Sequence, residues 1–126
     1  MNNHKNQSFP ARLNYALAGL AHGLRVEASL RLQAACFIAA LVALLVLRPA
    51  AVWWALVLLA SAAVLAAELF NTAIEQLADE LHPKDSPGIR IVKDCAAAGV
   101  LSAVLGALGV AVALAAHLLF ARASTG

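Results

Sequence analysis

Glu68, Asn71, Glu75 and Asp79 recur at intervals of 3, 4 and 4 in a chain that is otherwise mostly apolar. On a helix that spacing gathers three carboxylates and an amide on one narrow face. Carboxylates repel one another and resist desolvation, so the face needs a cation, a proton or a basic partner. Oxygen donors of this kind suit a hard ion such as Mg²⁺, which often shares its shell with phosphate. Lys93-Asp94 follows Asp79 after a short loop, and a lysine there suits the phosphate itself. Arg12 can approach the same place from the N-terminal side, and Glu27 precedes the first long apolar run. Glu68 comes directly after the second apolar run and so lies deepest. A charge at membrane depth costs about 2.5 to 3.5 kcal/mol on insertion scales, which marks it as a functional candidate. A carboxylate at that depth can take a proton from a lipid hydroxyl.

The elements that must position these groups follow from composition. The chain of 126 residues is 63% hydrophobic and 13% charged, with a mean hydropathy of +0.82. Soluble domains carry about 25% charged residues, so the class is integral membrane, all-α, with a single domain over residues 1–126. The net charge of +2 gives no reason to expect a nucleic-acid partner. No cleavable signal peptide is expected, because residues 1–7 are polar and no short apolar core with a cleavage site follows.

The chain is expected to hold an interfacial helix over 9–26 and membrane spans over 31–48, 51–80 and 89–120. Ser8 can cap the first helix, with Pro10 in its first turn. Phe9, Leu13, Leu17, Leu20 and Leu24 line one side, and Arg12, Asn14, Tyr15, His22 and Arg25 the other. That pattern fits an amphipathic helix lying among lipid headgroups. Leu32 to Leu47 is uncharged and spans about 24 Å, slightly short of a bilayer core, with Arg31 and Arg48 able to snorkel. Arg48-Pro49 forces a tight connection, and Trp53 and Trp54 sit at an aromatic belt. His82-Pro83, Ser86, Pro87 and Gly88 make a loop. The small residues Gly99, Ala103, Ala107 and Ala111 let the last span pack closely. Of nine Lys and Arg, only Arg48 and Arg122 fall on one side, which places the N-terminus and the long loop in the cytoplasm.

Plainer readings stand beside these. Asp79, Glu80, Lys84 and Asp85 fit a solvated loop, and Lys93-Asp94 fits a helix cap. Cys36 and Cys95 read as small core residues, and His22 and His117 are isolated. Zinc-type Cys/His spacing, a Ser-His-Asp arrangement and a phosphate-binding glycine loop are all missing from the sequence. A proton-coupled transporter would use Glu68 as its coupling carboxylate. Acids at one boundary and only three short spans disfavour it. A non-catalytic assembly protein would leave the clustered acids without a reason.

Glu68-x-x-Asn71-Thr72-Ala73-Ile74-Glu75-x-x-x-Asp79, followed by Lys93-Asp94-x-Ala96-Ala97, resembles the signature of the small prokaryotic lipid kinases, diacylglycerol kinase and undecaprenol kinase. Gly23-Leu24-Arg25 and Glu27-Ala28-Ser29-Leu30-Arg31 are similar to that family's first block. The resemblance implies a homotrimer in the bacterial inner membrane, with active sites shared between subunits at the cytoplasmic face. It implies transfer of the γ-phosphoryl group of Mg-ATP to diacylglycerol, with undecaprenol as the alternative acceptor. Glu68 would be the general base and Asn71 would orient the site. Glu27 and Glu75 would hold Mg²⁺. Arg12, Gly19, Glu27 and Glu75 would meet ATP, together with Lys84, Asp85, Ser86, Lys93 and Asp94. Arg12, Ser29, Arg31, Gln33, Glu68 and Ala97 would meet the lipid. Where this chain has Gln33 and Gly19, the best-known diacylglycerol kinase pattern has Glu and Tyr.

Overall fold

The computed structural model describes residues 7–82 and 86–123, the side chain of Arg122 excepted. All regular structure among them is helical: α1 (Phe9–Val26), α2 (Ala28–Leu47), α3 (Ala51–Leu81) and α4 (Pro87–Ala123). The last three are each long and apolar enough to cross a membrane. Leu45, Val46, Leu59, Leu101 and Val112 are all more than half exposed on their outer faces. Apolar surface that continuous is unfavourable in water and matches hydrocarbon.

Helix ends explain where the observed bounds differ from those expected. The first span begins at Ala28, not 31, because only Glu27 (φ −103°, ψ 120°) separates it from α1. Its twenty residues reach about 30 Å, the thickness of a bilayer core. Arg31, in its first turn, points back toward α1, and its guanidinium donates to the carbonyls of Leu24 and Arg25 at 3.1 Å each. Those are unpaired carbonyls at the α1 C-terminus, where a cation is also favoured by the helix dipole. Ser8 makes no side-chain cap, although its carbonyl accepts from the Arg12 amide. Pro10 is the second helical residue and has no N–H, which removes one of the two donors a capping side chain uses. Arg48 closes α2 in the left-handed region (φ 47°, ψ 51°), its amide donating to Leu44. The third span begins at Pro87, so Lys93-Asp94 lies inside α4 and does not cap it. Ser86 takes that role, its Oγ accepting from the Ile89 amide at 3.3 Å.

α3 is the central element and packs most extensively on α4, next on α2. On α3, Val57, Ser61, Val64, Glu68, Asn71, Glu75 and Ala78 are buried or half-buried, at alternating intervals of 4 and 3. On α4 the half-buried set is Lys93, Ala96, Val100, Ala103, Ala107, Val110 and Leu114, with the same alternation. That is the left-handed packing seam of helices crossing at shallow angle. The expected small-residue stripe is therefore only partly right. Ala103 and Ala107 face inward, while Gly99 is exposed with open space about it. Cys36 and Cys95 are exposed free thiols and not core residues. At the far end, Trp53 and His117 lie with ring centroids 5.3 Å apart, joining the start of α3 to the end of α4.

α1 meets the bundle at Gly23, which is buried against Leu30 and Leu69. A Cβ there would stand 2.8 Å from Leu30 Cδ2 and 3.1 Å from Leu69 Cδ2, so glycine is what permits the approach. One further contact ties α1 down: the Gln76 amide meets the His22 ring, Nε2 to Nε2, at 2.9 Å. His22 thus has a structural partner that its isolation in the sequence did not suggest.

Candidate functional site

The stripe on α3 is continuous helix, so its four polar residues do share a face. Glu68 is 4% exposed, the most buried charged side chain among the described residues. Two donors from α2 reach it: Ser29 Oγ donates to Oε1, and Gln33 Nε2 donates to Oε2 at 3.2 Å. Ser29 and Gln33 are one turn apart, so a single face of α2 supplies both. Thr72, also buried, donates its hydroxyl to the Glu68 carbonyl at 3.0 Å and keeps its own polarity satisfied within the helix. Hydrogen bonds to a charged group contribute about 1.5 to 3 kcal/mol each, enough to offset an insertion cost of similar size.

One turn along, Asn71 Nδ2 donates to Glu75 Oε1 at 3.0 Å. Two buried oxygens among the described residues have no partner, Gln33 Oε1 and Asn71 Oδ1. Both belong to amides already committed to a site carboxylate, so both leave an acceptor at the site. A buried acceptor left unmet costs about 1 to 3 kcal/mol, and a hydroxyl, an ammonium or a hard cation would relieve it. At the outer end Lys93 Nζ lies 2.5 Å from Asp79 Oδ1, which brings α4 beside the stripe as expected. Asp79 is largely exposed and Lys93 less so, and a pair in that setting contributes about 0.2 to 1 kcal/mol.

The other expected site residues are placed less tightly. Glu27 is half-buried at the α1–α2 junction and Glu75 half-buried on α3. No three His, Cys, Asp or Glu side chains among the described residues gather closely enough to hold a metal ion. Arg12, Gly19, Asp94 and Ala97 are exposed. Arg31 and Ser86 carry the capping bonds already described. Lys84 and Asp85 lie outside the described residues.

An apolar groove of about 590 Å³ runs between α2 and α4 over α3. Phe37, Leu44, Val57, Val64, Val104 and Leu114 are among its walls, and Gln33 is its polar end. The groove therefore ends at the amide that holds Glu68.

These features together are a buried carboxylate with oriented donors, a second carboxylate paired to an amide, and an ion pair at the rim. They lie at one end of three membrane-length helices. Comparison with individual curated proteins and with solved structures returned no match. The family model described as prokaryotic diacylglycerol kinase matches residues 14–115, which include Glu27, Glu68, Asn71, Glu75, Asp79 and Lys93 but not Arg12. That match covers most of the sequence, and the chain belongs to the prokaryotic diacylglycerol kinase family, a family of lipid kinases.

Proposed function

We propose that the protein phosphorylates diacylglycerol, using Mg-ATP and giving phosphatidic acid and ADP, at the cytoplasmic face of the bacterial inner membrane. The observation that carries this reading is the buried Glu68 carboxylate, held by two donors at the polar end of an apolar groove. A soluble alcohol would not need a base at that depth, whereas a lipid hydroxyl anchored by its chain would. Family membership supports a lipid acceptor, and undecaprenol is the alternative to diacylglycerol.

In the proposed reaction the acceptor hydroxyl donates to Glu68. Its proton passes to the carboxylate as its oxygen bonds the γ-phosphorus. The bond from that phosphorus to the β–γ bridging oxygen breaks and ADP leaves. The protonated Glu68 then returns its proton to water. Phosphoryl transfer asks mainly for positioning and for charge opposite the phosphate oxygens. Lys93 supplies a cation at the rim, and Arg12 a second from α1. Asn71 fixes the rotamer of Glu75. The donor set fits Mg²⁺, since carboxylates and the unpartnered Asn71 Oδ1 are hard oxygens and this ion commonly takes one or two carboxylates plus phosphate. Glu27 and Glu75 would hold it, and when bound it would neutralise phosphate charge. A homotrimer that shares sites between subunits fits the exposed Arg12 and Asp94, which a neighbour could cover.

The test is purified protein in mixed micelles with labelled ATP, offered diacylglycerol and undecaprenol in parallel. Label should enter phosphatidic acid, and Glu68→Gln should lower turnover by about 10²- to 10⁴-fold, the range for a general base. Label appearing only in undecaprenyl phosphate would replace the acceptor. Substrate flux into proteoliposomes without ATP consumption would replace the reaction class. Near-normal turnover in Glu68→Gln would remove the base.

A further inference from the structure

We infer that Ser29 and Gln33 act together as a two-donor clamp that sets the direction of the Glu68 carboxylate toward the acceptor hydroxyl. They are then positioning residues and not lipid contacts. The inference rests on the proposed role of Glu68 as base and adds to it. Both carboxylate oxygens receive a donor, one each, from successive turns of α2. An ionised carboxylate has about four lone-pair sites, so two donors leave room for a substrate hydroxyl on the remaining ones. Without donors, a Glu side chain has three soft torsions and its oxygens sweep a wide arc. With both oxygens engaged, the plane of the carboxylate is fixed and each oxygen keeps an open lone-pair site.

The donor types matter. Ser29 and Gln33 are neutral, so they orient the carboxylate without supplying the countercharge that a Lys or Arg would. A base paired to a cation loses the basicity it needs. The Gln33 amide is itself constrained, because it forms the polar end of the apolar groove. α2 is otherwise apolar from Leu32 to Leu47, and Arg31, the other polar side chain on that helix, is bonded to the end of α1.

A misplacement of about 1 Å at a reacting group can cost on the order of 10²-fold in rate. Ser29→Ala, measured on the full chain in mixed micelles, should lower kcat about tenfold, and Ser29→Ala with Gln33→Leu about a hundredfold. KM for lipid and for ATP should stay within about twofold of the wild type, because neither donor is asked to bind substrate. Ser29→Thr keeps the hydroxyl and should restore kcat. That rescue separates a lost donor from a damaged fold, since Thr is bulkier than either Ser or Ala. Wild-type kcat in Ser29→Ala, a raised lipid KM at unchanged kcat, or a Ser29→Thr variant as slow as Ser29→Ala would each overturn the clamp. A wild-type protein that phosphorylates no lipid would instead defeat the underlying reading.

Discussion

Gly23→Ala tests the seat of α1 on the bundle, and the structure fixes the sign of its effect in two backgrounds. In a helix, Ala is more favourable than Gly by about 1 kcal/mol. Against that gain stands the new Cβ, 2.8 Å from Leu30 Cδ2 and 3.1 Å from Leu69 Cδ2. Leu30 is 0% exposed and cannot swing away without disturbing its neighbours. Overpacking of this kind costs about 1 to 3 kcal/mol, so the net effect is a loss of about 0 to 2 kcal/mol. Leu30→Ala alone should cost about 2 to 5 kcal/mol, toward the lower end because lipid tails are as apolar as the lost contacts. With Leu30 shortened, the closer of the two contacts disappears, and half-buried Leu69 can move by the few tenths of an ångström that remain. Gly23→Ala should then stabilise by up to about 1 kcal/mol. The assay is reversible unfolding in dodecyl maltoside micelles titrated with SDS, followed by the fluorescence of Trp53 and Trp54. The prediction is a reversal of sign between the two backgrounds, a coupling of about 1 to 3 kcal/mol. The same effect of Gly23→Ala in both backgrounds would refute the close approach of α1 to α2.

Glu75→Gln and Glu27→Gln should each raise the Mg²⁺ concentration giving half-maximal kinase activity, by about tenfold or more, because each removes a charged oxygen donor. An unchanged metal titration would argue against either as a ligand. Arg48→Gly should raise stability by about 0.4 to 1 kcal/mol in the same SDS titration, since Arg48 occupies the left-handed region where a Cβ is penalised. A loss of stability there would mean that the Arg48 side chain makes contacts outweighing the strain.

The second and third spans and the polar stripe were legible because their signals are local. A run without charge sets a span, and intervals of 3 and 4 set a face. The shared register of α3 was legible in the same way: Val57, Ser61 and Val64 continue directly into Glu68, Asn71 and Glu75. What the sequence hid is which neighbour each residue meets. α2 is apolar nearly all round, so its rotation cannot be read from periodicity. Only Ser29 and Gln33, four apart on a helix whose one other polar side chain is Arg31, mark the face that turns to α3. The resemblance implies that they meet the lipid, and the structure shows what it does not imply, a bond from each to Glu68. The helix of α2 starts at Ala28, three residues before the expected span, and no local signal shows that Arg31 serves the end of the preceding helix. His22 and Gln76 are fifty-four residues apart, and no local rule pairs them.

The groove raises a question of which energy matters inside a membrane. In water, burying a chain in 590 Å³ of apolar space would contribute about 0.8 kcal/mol per methylene. In a bilayer that gain vanishes, because the chain leaves one hydrocarbon phase for another. The groove can then contribute little to affinity for a lipid, and its effect must lie in where it holds the hydroxyl. Ala40→Phe or Ala107→Phe, which fill the groove from α2 and from α4, should therefore change the lipid KM by no more than a few-fold. They should lower kcat far more, by about 10²-fold if the hydroxyl is displaced by about 1 Å from Glu68. KM for ATP should not move, since the proposed nucleotide residues Glu75 and Lys93 do not line the groove. Kinetics with diacylglycerols of long and short chain sharpen the test. A short-chain acceptor that does not reach the filled section should be phosphorylated equally well by wild type and variant. If instead the variants raise the lipid KM tenfold or more at constant kcat, the groove binds its occupant by affinity, and the argument from equal hydrophobicity fails.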